Sequence, residues 1–264
     1  MNEGWNDIRD AIQGDGDGLS APIPDHWRQG RTCYGGMTAA LMYEAALQQV
    51  EDLPPLRSAI VNFVGPVTDT PVLTSELLRR GRNVTNVSSR ADVGEQCVGR
   101  ADFLFGASRT SEVGVDFPAP DAPLPEECEL FTPEFAKPMV PAFFHNFDTR
   151  LIAGERPMTG TEGYIRTWSR HMDPASREGT GSLLCLADVL PPAALPLIRT
   201  MAPVSSMSWI VNILSDKPET EDGWWQVESR LTAAGGGYST QVMRIWNAAG
   251  ELVVEGMQSI AIFA

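Results

Sequence analysis

A few residues of this chain have types and spacings that could do chemistry. Gly35 and Gly36 open an apolar run in which Met37, Ala40, Leu41 and Ala45 recur at helical spacing. The first turn of a helix leaves backbone N–H groups unpaired. Glycines there let a ligand approach that positive end with no Cβ in the way. A core helix behind a glycine turn explains the same pattern. Asp188 stands among Leu186, Ala187, Val189 and Leu190, where a carboxylate without a task is expensive. It could serve as a helix N-cap instead. Arg79, Arg80 and Arg82 are the densest basic group. Their planar forks suit phosphate, and a solvated strand turn is the alternative. His26, His145 and His171 have no serine or cysteine motif around them, and no GxSxG elbow exists, which disfavours a covalent serine hydrolase.

Composition narrows the classes further. The chain has 264 residues with 43% hydrophobic content, enough for one large domain or two small ones. The net charge of -14 argues against nucleic acid and anionic membranes as partners, although a local basic cluster can override the global field. Cys33, Cys97, Cys128 and Cys185 form no CxxC pair, so no zinc site is expected. Reduced thiols in a cytoplasm fit best. The acidic N-terminus lacks the apolar core of a signal peptide, and no apolar run is long enough for a membrane span.

These residues must be positioned by two similar sets of elements. Residues 14–18 read as a flexible connector and Pro22 to Gln29 as a kinked strand. The Gly35 helix then runs to about Glu51-Asp52, ahead of Pro54-Pro55. Strands follow at Arg57–Val64, Val72–Leu78, Asn83–Val93 and Gln96–Phe105. Prolines 118, 120, 123, 125, 133, 138 and 141, set among acidic residues, mark a linker. Beyond it come strands at Phe143–Ile152 and Tyr164–Arg170, then a helix within Leu183–Met201 that contains Asp188. Further strands are expected at Met207–Leu214, Trp224–Ser229, Tyr238–Trp246 and Val253–Phe263. Ile60-Val61-Asn62 matches Ile210-Val211-Asn212, and Ala101–Phe105 matches Ser259–Phe263. One helix plus a strand series, twice, predicts an internal duplication and an α+β plan in which a buried helix hides one sheet face. The expected division is 1–113, a linker at 114–141, and 142–264.

The chain resembles a double-hotdog acyl-CoA thioesterase of the bacterial type II kind. The resemblance rests on GRTCYGG, RSAIVNFVGPV and LLRRGRNVTNVSSRA in the first half. In the second it rests on LADVLPP and ESRLTAAGGGYSTQVMRIWNAAGELVVEGMQSIAIF. It implies two fused hotdog units, each an antiparallel sheet wrapped around a long helix. It also implies hydrolysis of acyl-CoA by directly attacking water, with no metal or cofactor. In such enzymes an aspartate, a threonine or serine, and a glutamine hold the water. By this resemblance Asp188, at the head of the second helix, is the aspartate. Gln258 is the glutamine, with Arg100 at its place in the first half, so one competent site per chain is expected. The hydroxyl falls near Arg230, which cannot do the job. Thr232, two residues on and so on the same strand face, is the candidate, with Ser229 as the fallback. Gly35 and Gly36 become the oxyanion donors. Tyr34 would shape the acyl slot or simply pack, and Arg79, Arg80 and Arg82 would meet the phosphates of coenzyme A. Further assembly into a homo-oligomer, a dimer of double hotdogs, is implied too. The alternatives are an acyl-thioester binding protein without turnover and an acyl-CoA hydratase or dehydratase.

Overall fold

The computed structural model describes residues 2–263. Helix α1 (Trp5–Asp10) leads into a small hairpin, β1 (Gln13–Asp15) and β2 (Gly18–Ser20). The expected connector is therefore an edge element. Gly16, at φ +59°, supplies the left-handed backbone of the tight turn, and Leu19 pairs opposite Leu73. The strand expected over Pro22 to Gln29 is largely absent. A 3-10 turn at Asp25–Trp27 replaces it, leaving the two-residue strands β3 (Arg28–Gln29) and β4 (Thr32–Cys33). Pro22 and Pro24 have no N–H to give a ladder, and Trp27 turns fully into the core.

Helix α2 (Gly35–Gln49) starts where the glycines place it. Ala39, Ala40, Ala45 and Ala46 are all fully buried, so the sheet packs close against the helix. The first-half strands are β5 (Leu56–Phe63), β6 (Val72–Arg80), β7 (Thr85–Val93) and β8 (Gln96–Phe105). The second half supplies β9 (Phe147–Gly154), β10 (Tyr164–His171), α3 (Thr180–Ala187), β11 (Val204–Ile213), β12 (Trp225–Gly235), β13 (Tyr238–Trp246) and β14 (Leu252–Ile262). Twelve strands make one antiparallel sheet in the order β1-β2-β6-β7-β8-β5-β11-β14-β13-β12-β10-β9. Each half curls its part of the sheet around a helix, which is the double-hotdog arrangement. The second helix is not long, however. Pro191, Pro192 and Pro196 cannot continue it, and regular helix stops at Ala187.

The duplication is visible in the joint between halves. β5 and β11 pair antiparallel with Ile60 opposite Ile210, Ser208 opposite Asn62 and Asn212 opposite Ser58. The two copies of Ile-Val-Asn thus meet around a pseudo-twofold axis. Each strand also carries an irregularity at the same place, Leu56/Ser58 in one and Ser206/Ser208 in the other.

The proline-rich segment is held down along its length. The indoles of Trp246 and Trp168 donate to the carbonyls of Phe117 and Pro123, each over 2.9 Å. Farther on, Phe131 N–H donates to Thr149 O over 2.8 Å and Leu151 N–H to Glu129 O over 2.9 Å. The segment therefore straps the outer face of the second half and then pairs with the edge strand β9. All four cysteines are free, and among the described residues no helix is long and apolar enough to cross a membrane.

The start of α2 abuts the end of α3. A Cβ on Gly36 would lie 2.4 Å from Cys185 O and 2.8 Å from the Tyr34 ring. Neither atom belongs to a flexible chain end, so Gly36→Ala should cost about 1–3 kcal/mol of stability. Urea unfolding of the two proteins checks this, and equal midpoints would contradict such tight abutment.

Candidate functional site

Asp188 is the C-terminal cap of α3 rather than the head of a helix. The short helix delivers it to the N-terminus of α2 in the other half. A Cβ on Gly35 would lie 2.6 Å from Asp188 Oδ2 and 3.3 Å from the Phe63 ring, so the missing side chain is what leaves room for the carboxylate. From β14, Gln258 Nε2 donates to Asp188 Oδ1 over 2.8 Å and to Ser206 Oγ over 3.0 Å. Gln258 Oε1 accepts from Gln241 Nε2 over 2.9 Å, and Gln241 Oε1 accepts from Ala193 N–H over 2.7 Å.

Asp188 is 9% exposed and Gln258 2%. Burial pushes the Asp188 carboxyl up to about 7; the Gln258 amide and the Gly36 N–H pull against that without cancelling it. The groups around it are held neutral. Burial raises the Cys185 thiol and the Tyr34 phenol well above their ordinary values, the latter helped by the Asp188 charge. A carboxyl whose titration lies near neutrality, touched by N–H donors, can hold or release a proton under ordinary conditions.

Two expected residues meet here, Asp188 and Gln258, together with the two glycines. Thr232 does not. It sits at an irregularity in β12, where Leu231 faces Gln241 and Ala233 faces Thr240. Its hydroxyl is exposed and bonds the Thr240 hydroxyl at 2.9 Å, on the face away from Gln241. The two-residue step does keep the face of Arg230, and that face is the outer one: the Arg230 guanidinium lies over the Tyr164 ring at 4.2 Å. Ser229 faces inward, with its hydroxyl unpartnered, in register with Met243, and makes no bond to Asp188 or Gln258. The hydroxyl that meets Gln258 is Ser206, on the adjacent strand β11. Its signal was the antiparallel pairing of that strand with β14, which sets Ser206 opposite Ile260, two residues from Gln258.

Tyr34 is buried, stacked on Phe143 with ring centroids 4.0 Å apart, and its hydroxyl donates to Cys185 O over 2.9 Å. It pins the helix junction and offers no open surface to a ligand. The arginine group lies elsewhere. Arg80 donates to Asp52 O over 3.0 Å and also to Glu51 O, beyond the far end of α2. Its 15 residues separate the two ends by about 22 Å at 1.5 Å per residue. Arg79, exposed near the end of β6, and Arg82, exposed in the turn that follows, flank Arg80, so the three do not border Asp188.

The pseudo-twofold corrects the counterpart of Gln258. Trp209 faces Gln258; the matching Ala59 faces Phe103. Phe103 therefore holds that place, and Arg100 lies exposed three residues away. Leu56 replaces Ser206. Tyr43, which approaches Thr180, packs on Phe103 with centroids 5.8 Å apart. Aromatic rings thus stand where Gln258 stands in the second half, but a carboxylate remains at this junction. Glu44 Oε1 occupies the space a Cβ on Gly181, in the first turn of α3, would need, and burial raises the Glu44 carboxyl to about 7.

Comparison with known proteins agrees with this architecture. The acyl-CoA thioesterase N-terminal domain matches residues 23–106, and the acyl-CoA thioesterase C-terminal domain matches residues 125–262. A search of curated proteins finds no match. Among solved structures, a conserved hot dog-fold protein of unknown function from Alicyclobacillus acidocaldarius is 21% identical. It superposes with a TM-score of 0.88 over 100% of this chain and 99% of that one. Acyl-CoA thioesterase II TesB2 from Mycobacterium marinum is 18% identical, with a TM-score of 0.77 over 99% of each chain. The tesB protein of Mycobacterium avium subs paratuberculosis is 17% identical, with a TM-score of 0.78 over 99% and 100%. At these identities the structures speak for the fold. With both of its halves matched by the domain models, the chain belongs to the acyl-CoA thioesterase family.

Proposed function

We propose that this protein hydrolyses acyl-CoA to a free carboxylic acid and coenzyme A by direct attack of water. The observation that carries the reading is the Asp188–Gln258–Ser206 cluster set against the glycine start of α2. Asp188 Oδ1 is held by Gln258, which leaves Oδ2, on the Gly35 side, to take a proton from water. That water forms the new C–O bond at the thioester carbonyl carbon. The developing oxyanion takes N–H from the first turn of α2, where the helix dipole also favours negative charge. Collapse breaks the C–S bond, and the proton held on Asp188 passes to the departing thiolate. Ser206 accepts from Gln258 and keeps its own proton free to orient the water. Gly36 already acts on Asp188, so Gly35 is the first candidate for the oxyanion.

A hydratase would call for a histidine or acid placed for proton transfer at carbon. Among the described residues no histidine bonds to this cluster; His171 Nε2 contacts Ser182 O at 3.0 Å and His26 Nε2 contacts Glu3 O at 2.9 Å.

Asp188→Asn should lower thiol release from acyl-CoA about 100-fold or more while leaving acyl-CoA binding measurable. Equal release by both proteins would remove Asp188 from the mechanism. Saturable binding with no release by the wild type would make this a binding protein instead.

The acid–base role carries a sign. The ionised carboxylate is the base, and burial moves its titration to about 7. The kcat/KM profile should therefore climb with pH and level off above about 7. The Asp188 contribution to stability should move the other way. The folded protein keeps a proton that the unfolded chain releases near 3.8, so that contribution should fall as pH rises from about 4 to about 7. It is read as the difference between wild type and Asp188→Asn, because buried His171, lowered to about 4, contributes with the opposite sign. A rate profile already flat at pH 5 would contradict the assignment.

A further inference from the structure

The hydrogen-bond chain behind Asp188 begins at a donor that cannot be reversed. Ala193 N–H donates to Gln241 Oε1 over 2.7 Å, and a backbone amide has no acceptor at nitrogen. That contact fixes which end of the Gln241 side chain faces which way. Gln241 Nε2 is left to face β14, where it donates to Gln258 Oε1 over 2.9 Å. Gln241 and Gln258 stand directly opposite one another in the sheet. With its oxygen engaged, Gln258 can show only N–H to Asp188 Oδ1.

We propose that Gln241 is a positioning residue for the hydrolysis inferred above: it holds the Gln258 amide in the one orientation that places N–H, not C=O, on the Asp188 carboxylate. The reversed amide would set oxygen against a carboxylate, which favours the protonated acid and takes the base away. Both glutamines are almost fully buried, at 1% and 2% exposure, so bulk water does not supply the missing donor. The anchor is a backbone group in the proline-rich segment after α3. That segment, which cannot continue the helix, instead gives the relay its direction.

The role in turnover rests on the thioesterase reading; the orientational lock does not. The test is Gln241→Met, which keeps the length and removes both bonds. The Asp188 titration is read by carboxyl-carbon NMR, and turnover is measured alongside it. The lock predicts a rise of about one pH unit in the Asp188 midpoint. It also predicts about a tenfold fall in kcat at pH 7 with KM within about twofold. An Asp188 midpoint unmoved in a folded Q241M protein overturns the proposal. So does a loss confined to KM. Should Q241M fail to fold, the wild type answers: slow exchange of the Gln258 side-chain N–H supports the lock, and free exchange overturns it. A wild type without turnover, but with the midpoint shift intact, sinks the hydrolase reading and leaves the lock standing.

Discussion

The contact on which the rest depends is the end-to-end meeting of two helices from different halves. The start of α2 presses on the end of α3, closely enough that Cys185 O occupies the space a Gly36 side chain would need. Tyr34 ties the two ends by a hydrogen bond to the same carbonyl. The arrangement sets a helix N-terminus, rich in N–H, against a carboxylate at the other helix's C-terminus. Neither half alone contains both. Fusion of the two halves through β5 and β11 fixes the meeting, because that joint sets the position of one half against the other.

The two junctions that duplication creates are filled differently. The pseudo-twofold creates two equivalent junctions, and the same backbone serves both. At one, Asp188, Gln258 and Ser206 converge. At the other stand Tyr43, Phe103 and Leu56, with Phe105 close by at a centroid distance of 6.2 Å from Tyr43. A buried carboxylate and amide are costly unless they satisfy each other. Phe103 and Leu56 in place of Gln258 and Ser206 remove part of that cost and add to the core. The Glu44 carboxylate remains there, beside Gly181 at the start of α3, and burial raises it to about 7.

Much of the fold was legible because periodicity and repetition reported it. The Gly35 helix, the Ile-Val-Asn repeat and most strands lie where their patterns put them. The failures share a cause: local sequence does not show which tertiary partner wins. The glycines at 14–18 read as slack, yet Leu19 found the edge of β6. The proline-rich stretch 114–141 read as a linker, yet the carbonyls of Phe117 and Pro123 accept from two indoles. The meeting of the glycines with Asp188 and Gln258 was legible. The Ser206 contact was not: Thr232 lies on the outward face of Arg230, and the hydroxyl beside Gln258 comes from the neighbouring strand. The arginine cluster was a composition signal, and composition does not say at which end of a helix a charge lies.

The central claim is that Asp188 acts on water and not on the thioester itself. A single turnover in ¹⁸O-labelled water, with enzyme in excess of acyl-CoA, separates the two. The account predicts one label in the released acid after the first turnover and none in the Asp188 carboxylate. Label appearing in that carboxylate, as hydrolysis of an acyl anhydride on Asp188 would leave it, would contradict the account.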